Sequence, residues 1–286
     1  MRMRATVVAV SGALALSALA VPAAQADSRD AASIDKPSVA ERFGASSAKS
    51  AFSTAADVPT VSNVTVNAGK NLVFGTTTVK TFNVSLTATH ASGIADAYID
   101  LWHGTDPVND IDGYFPPNEE AATCTAVSAT TSNCKLTITA STYDNLLFNS
   151  LAGNWHVTAA ALSNDGEIYL NDFYKTHKVQ RAAKLTVNAS PEPVAKGKTI
   201  TVSGKLTRAN WETLGYSGMP SGQSVVLQFR KKDSTTYSNV KGIKTLSGGA
   251  LKTTVTASTD GYYRFTYAGI TSTAAVNATG DFVDVQ

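Results

Sequence analysis

The amino-acid sequence predicts an all-β protein organised as two β-sandwiches in series. Apolar and polar residues alternate over short segments, a period-two pattern that is typical of half-buried strands. Thr and Val are abundant, few stretches have the longer period of a helix, and Gly, Pro, Asn and Asp separate the alternating segments. Residues 57–286 are enough for two ordinary domains.

The first 26 residues are predicted to be a signal peptide. Arg2 and Arg4 form a positively charged N-terminal region, and residues 5–21 are apolar. Ala24-Gln25-Ala26 matches the small-x-small motif of a cleavage site. The residue directly after this site is Asp27 and not a cysteine. No later apolar stretch reaches the roughly 18–20 residues that a membrane span needs. We therefore expect a secreted, extracellular protein without membrane insertion.

Residues 27–56 are predicted to be a flexible linker or a propeptide. They are rich in Ala and Ser, carry isolated charges and lack a strand period.

The first predicted domain, residues 57–181, contains seven strand patterns with turn residues between them. Ser92-Gly93, Asp112-Gly113 and Gly153-Asn154 each supply a residue that tolerates positive φ. Seven short strands at this spacing favour an immunoglobulin-like sandwich. The predicted strands are 62–68, 81–89, 97–103, 122–128, 134–140, 154–162 and 168–180.

The second predicted domain, residues 182–286, repeats this pattern, so we expect a second immunoglobulin-like sandwich. Val225, Leu227 and Phe229 alternate with Gln228 and Arg230 in one clear strand pattern. The other predicted strands are two within 183–208, separated by a Pro-rich kink, and those at 237–246, 250–258, 261–269 and 281–286.

The two predicted domains carry opposite charge. The formal net charge of the whole chain is +2, which becomes zero without Arg2 and Arg4. Residues 57–181 hold 12 Asp and Glu against 6 Lys and Arg, whereas residues 182–286 hold 6 against 12. This division predicts different partners or mutual attraction; two unrelated solvated surfaces are the alternative.

Cys124 and Cys134 are the two cysteines of the chain. In an exported protein the expected outcome is one disulfide. The nine residues between them fit two short strands and a turn, which brings the sulfur atoms opposite each other. A reactive thiol pair is the alternative, although no C-x-x-C spacing supports it.

An acidic loop between two predicted strands is the candidate metal site. Calcium accepts irregular shells of six to eight oxygen ligands. The loop crowds six side-chain ligands into fifteen residues: Asp106, Asn109, Asp110, Asp112, Glu119 and Glu120. The sequence therefore predicts calcium as a cofactor, with a solvated acidic turn bent at Asp112-Gly113 as the alternative.

The same loop does not fit an EF-hand. With Gly113 at loop position 6, Val108 falls at position 1, where its side chain has no ligand atom. Pro116 and Pro117 also forbid the helix that would leave the loop. In an immunoglobulin-like sandwich this loop lies at the end where the last strand exits, so we expect it near Arg181.

The loop around Trp211 in the basic domain is a candidate ligand-binding site. Trp211 and Tyr216 with nearby Arg208 offer aromatic rings beside a cation, which would suit a carbohydrate or an anionic cell-envelope polymer. The alternative is that Trp211 closes the end of the sandwich.

No sequence motif indicates catalysis. We find no G-x-S-x-G, H-E-x-x-H or Gly-rich phosphate loop. The lysines of the second domain lack interleaved aromatic residues, which argues against a nucleic-acid partner. We expect a monomeric protein that is not an enzyme.

Several sequence segments resemble those of a known protein family. The segments "DAYIDLWHGTDP", "SLAGNWHVTAAALSNDG", "KLTVNASPEPVAKGKTITVSGKLTRANWETLGYSG" and "DGYYRFTYAGITSTAAVNATGDFVDVQ" resemble a family of secreted actinobacterial proteins with two immunoglobulin-like modules. Members are often labelled as calcium-binding or of unknown function. The resemblance implies a secreted protein with two immunoglobulin-like modules and a calcium-binding label. Together with the missing catalytic motifs, this predicts a non-catalytic protein that binds calcium through the acidic loop, with a cell-wall or carbohydrate binder acting through the basic second domain as the alternative.

Overall fold

The protein is described here from a computed structural model that covers residues 34–44 and 58–286. The predicted signal peptide, residues 1–26, lies outside the described residues, and so do residues 27–33 and 45–57. Most of the described chain lies in short β-strands, so the all-β prediction is confirmed.

The first sandwich, residues 58–181, consists of two facing sheets. One sheet has the strand order β1-β3-β7-β6 and the other has the order β2-β9-β8-β4-β5. The nine strands are β1 (Thr60–Val66), β2 (Leu72–Phe74), β3 (Val79–Thr89), β4 (Ile94–Asp106), β5 (Asp110–Phe115), β6 (Thr123–Ala126), β7 (Thr131–Ser141), β8 (Gly153–Ser163) and β9 (Ile168–Arg181).

These strand orders are those of an immunoglobulin-like fold. The fold pairs its first, second and fifth strands in one sheet and its third, sixth and seventh in the other. Here β1, β3 and β7 form the first group and β4, β8 and β9 the second, while the short β2 runs parallel to β9. The immunoglobulin-like prediction is confirmed, and each of the seven predicted strands overlaps an observed one.

The core of the first sandwich follows from the alternation along its strands. In β3 the side chains of Phe82, Val84 and Leu86 are buried, while the residues between them face outward. From the opposite sheet, Trp155 stacks on Phe115 with 4.1 Å between ring centroids. These rings are fully buried and fill the space between the two sheets.

The second sandwich, residues 182–286, has the same plan with shorter strands. One sheet centres on β12, which pairs with β10, β11, β13 and β16, and the other has the order β15-β14-β17-β18 with β19 also on β17. The ten strands are β10 (Ala183–Leu185), β11 (Asn188–Ser190), β12 (Thr199–Asn210), β13 (Gly215–Gly218), β14 (Ser224–Lys231), β15 (Ser238–Lys244), β16 (Ala250–Thr256), β17 (Gly261–Tyr267), β18 (Val276–Asn277) and β19 (Asp281–Val283).

A separate hydrophobic cluster fills the second sandwich. Leu227 from β14, Phe265 from β17 and Ile200 from β12 are fully buried in it. The predicted domain boundary between residues 181 and 182 stays a prediction, because the contacts of the described residues place both sandwiches in one unit.

The predicted disulfide is confirmed. Cys124 in β6 lies directly opposite Cys134 in β7, and the two residues form a disulfide with 4.0 Å between their Cα atoms. The hairpin closed by this bond covers the edge of the sheet β1-β3-β7-β6.

The predicted bend at Asp112-Gly113 is wrong. Both residues lie within β5, which pairs with β4, and the turn is formed instead by residues 107–109. A glycine stands at position 113 for reasons of packing. A Cβ atom there would lie 2.7 Å from Cη2 of Trp155, closer than two carbon atoms can approach.

Part of the predicted flexible linker is folded against the first sandwich. Residues 34–44, here called the docked segment, contain the helix α1 (Val39–Phe43). Ser38 and Glu41 form a capping box at its start. No helix of the described residues is long and apolar enough to cross a membrane. The assignment of residues 27–56 as a linker or a propeptide stays a prediction, and residues 34–44 of that stretch have the defined structure described here.

Hydrogen bonds join the two sandwiches at a junction around Arg181 and Ala182. The Ala209 N–H donates to the Ala182 carbonyl over 2.8 Å, and the Ala182 N–H donates to the Phe74 carbonyl over 2.8 Å. The buried Arg181 Nε donates to the Ala209 carbonyl. Backbone donors and acceptors of both sandwiches therefore satisfy one another across the junction.

We predict that Gly113→Ala destabilises the first sandwich by about 1–3 kcal/mol, because the added methyl group overpacks the core beside Trp155. Gly153→Ala is the matched control, since a Cβ atom at Gly153 would have no neighbour within 4 Å. Urea denaturation of both variants measures the difference. Equal stability of the two variants would show that position 113 is not constrained by packing.

Candidate functional site

The six predicted calcium ligands occupy three places in the structure. Asp106, Asn109 and Asp110 lie at residues 106–110, here called the hairpin tip, between β4 and β5. Asp112 follows within β5, and Glu119 and Glu120 lie beyond the end of that strand. The structure thus brings three of the six together and separates the others.

Most of these side chains already have protein partners. Oδ1 of Asp106 accepts hydrogen bonds from the N–H groups of Val108 (2.8 Å) and Asn109 (2.9 Å), which lower the pKa of Asp106. The hydroxyl of Thr105 donates to Asp110.

Two of the other three carboxylates, Asp112 and Glu119, are also engaged. Asp112 lies 2.5 Å from Nδ1 of His103, and Glu119 accepts from the N–H (2.8 Å) and hydroxyl (2.6 Å) of Thr137. Across the described ranges, no three His, Cys, Asp or Glu side chains converge on a possible metal position. Calcium binding stays a prediction.

The hairpin tip lies at the expected end of the sandwich. Trp102 pairs with His156 and His156 with Thr176, so that β4 runs on past this level toward the tip while β9 runs on to Arg181. Both therefore leave the sheet at the same end, where the chain enters the second sandwich.

The predicted ligand-binding residues of the second sandwich lie at the junction. Trp211 is only 2% exposed and belongs to the core of the first sandwich, and its indole N–H points to the Phe74 carbonyl at 3.5 Å. Tyr216 packs on the same core beneath the ammonium group of Lys184, which lies 3.8 Å from the ring centre. The buried ring fits the alternative given above, in which Trp211 closes the end of a sandwich, and ligand binding by Arg208, Trp211 and Tyr216 stays a prediction.

Arg208 is the third member of that predicted site. Its Nη1 donates to the hydroxyl of Thr273 over 3.2 Å, and burial lowers its pKa. The structure brings Arg208, Trp211 and Tyr216 to the junction, where the ring of Trp211 offers no free face to a sugar.

A buried ion cluster, which the sequence did not predict, lies on the outer face of the sheet β2-β9-β8-β4-β5. Asp100 is fully buried there because its neighbours Ile99 and Leu101 face the core and turn it outward, beneath the docked segment. We call the surface around it the acidic groove, and its residues are Tyr98, Asp100, Trp102, Thr158 and Asp172.

The docked segment places two cations in the acidic groove. Lys36 Nζ pairs with Asp172, donates to the Thr158 hydroxyl over 2.8 Å and lies 3.7 Å from Asp100. Arg42 Nη2 lies 3.7 Å from Asp100 and 3.5 Å from Asp172. The side chains of Lys36 and Arg42 are 2% and 3% exposed, so these contacts are shielded from water.

Aromatic rings complete the contacts of both cations. Lys36 Nζ lies 5.3 Å from the ring centre of Trp102, and the guanidinium of Arg42 lies 4.8 Å from that of Tyr98. Phe43 packs with Tyr98, Ala160 and Leu162 in a small apolar cluster.

Burial governs the protonation of the cluster. It raises the pKa of Asp100, and the charges of Lys36 and Arg42 act against that shift. It also lowers the pKa of Lys36, while Asp100 and Asp172 oppose the change. For Asp172 burial acts upward, but the hydrogen bond and charge of Lys36, together with Arg42, outweigh it and lower the pKa.

The outer face of the sheet β15-β14-β17-β19 carries a second unpredicted arrangement. Arg230, Tyr262 and Phe282 form one row across three paired strands. The guanidinium of Arg230 lies 3.7 Å from the ring centre of Tyr262, and that of Arg264 lies 3.8 Å from the ring centre of Tyr237. We call these five half-buried residues the cation–aromatic face.

The alternation of residues along β14 and β17 predicts part of this face. Arg230 alternates with core residues in β14, and Tyr262 and Arg264 do so in β17. What the sequence lacks is the register that places Arg230 opposite Tyr262.

We predict that Trp211→Ala lowers the free energy of unfolding of the first sandwich by about 3–5 kcal/mol, as expected for a large-to-small change in a core. Trp211→Phe, which keeps most of the apolar volume, is expected to lose less. Urea denaturation of both variants measures the loss. A Trp211→Ala protein as stable as the wild type would show that Trp211 is not a core residue, and would favour the prediction that it binds a ligand.

For the acidic loop we predict millimolar or tighter Ca²⁺ binding in a calorimetric titration, abolished by Asp110→Ala combined with Asp112→Ala. The variant Glu192→Ala combined with Asp233→Ala removes two exposed carboxylates of the second sandwich and is the matched control. A flat trace for the wild-type protein would contradict the calcium prediction.

Comparison with solved structures returns weak likenesses to chains of immunoglobulin-like and related proteins. A DUF4785 family protein from Legionella pneumophila is 12% identical with a TM-score of 0.36, covering 75% of this chain and 52% of that one. The titin fragment I67–I69 is 13% identical with a TM-score of 0.30, covering 79% and 65%. The adhesin InvE from Yersinia pseudotuberculosis is 12% identical with a TM-score of 0.25, covering 81% and 61%. This chain spans about half to two thirds of their lengths, and such similarity does not carry function with it.

The sequence comparisons cover less of the chain. No curated protein matches it. The actinobacterial origin and the secretion implied by the resemblance stay predictions. Residues 74–161, which run from β2 into β8, match the model of a family of unknown function, DUF5707.

Proposed function

We propose that the protein is an exported, non-catalytic interaction protein that binds an anionic, ring-bearing polymer such as a cell-envelope polysaccharide. The observation that carries this proposal is the cation–aromatic face of the second sandwich, where two guanidinium groups lie against tyrosine rings on one exposed sheet surface. Such a surface combines charge attraction for an acidic group with a flat apolar surface for a sugar ring.

The arginines keep donors for a ligand. Nη1 of Arg230 donates to the carbonyls of Ser234 (2.8 Å) and Lys232 (3.3 Å), and Nε of Arg264 donates to Oε1 of Gln228 over 2.9 Å. A guanidinium has five N–H donors, so these bonds hold each side chain in place without using all of them.

The surroundings of the face are basic. Lys244 lies on the neighbouring exposed strand β15 opposite Ser224, and Lys232 lies 5.7 Å from the ring centre of Phe282. The net charge of +6 over residues 182–286 would attract a polyanion at low salt.

Calcium binding at the acidic loop is retained as a second proposed function. The observation that favours it is that Asp106, Asn109 and Asp110 share the hairpin tip, at the end of the sandwich that leads into the junction. The titration described above tests it independently of polymer binding.

We predict that oligogalacturonate, an anionic sugar polymer, binds the wild-type protein and that Arg230→Gln combined with Arg264→Gln weakens binding at least about tenfold, because the cation and its stacking are both lost. Lys196→Gln combined with Lys198→Gln, two exposed lysines outside the face, is the matched control and should change the affinity little. Calorimetry at low and high salt gives the affinities, which should fall with salt.

Two outcomes would contradict the proposal. One is equal binding of a neutral maltose oligomer, which would remove the role of charge. The other is an equal loss in the lysine control, which would reduce the interaction to net charge alone.

A further inference from the structure

We propose that the acidic groove of the first sandwich is a binding site for a basic peptide, and that the docked segment is its resident ligand, which a peptide of the same chemistry supplied by another molecule can replace. The site is separate from the cation–aromatic face and has the opposite charge preference.

The groove is built on strands and is specific in what it accepts. It offers one position for an ammonium group between Asp172, Thr158 and the ring of Trp102. It offers a second position for a guanidinium beside Asp100 and the ring of Tyr98. Carboxylate and aromatic groups at fixed positions select Lys and Arg at a defined spacing in a peptide.

A third position takes an aromatic side chain. Phe43, directly after Arg42, is 8% exposed and packs on Tyr98, Ala160 and Leu162. The three positions together describe a peptide with a lysine, then an arginine six residues later and an adjacent phenylalanine.

The docked segment has the properties of a bound peptide. It contributes no strand to either sheet of the first sandwich, and its helix has only five residues. A helix of that length is not stable alone in water, so its conformation depends on the groove. Residues 45–57 connect it to the sandwich, and thirteen residues give a tethered ligand an effective concentration of about millimolar.

The resident segment does not satisfy the groove completely. Oδ1 of Asp100 and Nη1 of Arg42 are buried and have no hydrogen-bond partner among the described residues. A buried polar atom that lacks a hydrogen bond costs free energy even where, as for Asp100 Oδ1, a cation lies nearby. A competing peptide that hydrogen-bonds to Asp100 would therefore gain over the resident one.

An open pocket beside Arg42 gives a competing peptide a point of entry. It has a volume of about 270 Å³ and lies between the docked segment and the chain that follows β5. Its lining is formed by Pro37, Arg42, Tyr98, Tyr114, Pro116, Pro117, Asn118, Glu119 and Glu120. Glu119 and Glu120 extend the acidic character of the groove to its opening.

The test is the binding of a fluorescein-labelled peptide with the sequence of residues 33–45 to the full chain, followed by fluorescence polarisation. Wild-type protein should bind weakly because its groove is occupied. The variant Lys36→Ala combined with Arg42→Ala, which weakens the resident ligand, should bind the peptide at least about tenfold more tightly. Adding Asp100→Asn to that variant should remove the gain.

Two controls accompany this experiment. Lys178→Ala changes an exposed lysine of β9 and should leave peptide binding at the wild-type level. A labelled peptide in which its own lysine and arginine are alanine should bind none of the proteins. Equal peptide affinity in the wild type and in the folded double variant, checked by circular dichroism, would overturn the proposal.

A second measurement covers the case in which the double variant does not fold. A protease site is inserted within residues 45–57 of the otherwise wild-type chain, and the folded protein is cleaved there. The N-terminal fragment should stay bound and then be displaced by excess labelled peptide. A fragment that resists displacement, or that leaves the protein at once without peptide taking its place, would overturn the idea of an exchangeable ligand.

Discussion

A carboxylate without access to water sets the main constraint on this protein. Asp100 is fully buried, and an isolated buried carboxylate costs several kcal/mol unless it is paired or protonated. Its neighbours in β4 belong to the sandwich core, so the strand period fixes its side chain on the outer face. The cations that compensate it come from Lys36 and Arg42, which lie far away in the sequence. The position of the docked segment thus follows from the buried charge of Asp100 in β4, which is the third strand of the immunoglobulin-like plan.

Coverage of this face also explains the composition of the central strands. In β8 nearly every residue after His156 is buried, on both faces. Ala159 and Ala161 face the core, while Ala160 faces the docked segment in contact with Phe43. Small side chains on alternate faces let the segment approach the sheet closely. A strand covered on both sides is expected to be continuously apolar, as residues 159–162 of β8 are.

The parts of the fold that could be predicted from the sequence are those determined locally. Alternation along each strand predicted seven of the nine strands of the first sandwich, and the spacing of Cys124 and Cys134 predicted their disulfide. The strand β5 was missed because Gly113 resembles a turn residue, whereas the structure requires its missing side chain for contact with Trp155. That contact joins residues more than forty positions apart and leaves no trace in the local pattern.

The candidate site was harder to predict for the same reason. The acidic loop attracted attention because its carboxylates are close in sequence, yet the structure spreads them over a hairpin tip, a strand and the segment after it. The acidic groove combines residues from β4, β8 and β9 with the docked segment, and each of these residues is unremarkable in its own stretch. Trp211 shows the reverse case, since a conspicuous aromatic residue in a loop belongs to the core of the other sandwich.

The junction would determine how the two proposed binding surfaces act together. The hydrogen bonds among Phe74, Ala182 and Ala209, with Arg181 buried beside them, join the two sandwiches. The acidic groove lies on the outer face of one sandwich and the cation–aromatic face on that of the other. With both proposed surfaces on one chain, a basic segment and an acidic polymer would be held by the same molecule. When two partners are linked to each other, the second contact would then form at the effective concentration given by the linker between them. The opposite charge of the two halves, a balance of −6 against +6 in the sequence, would make each proposed surface selective for its own partner.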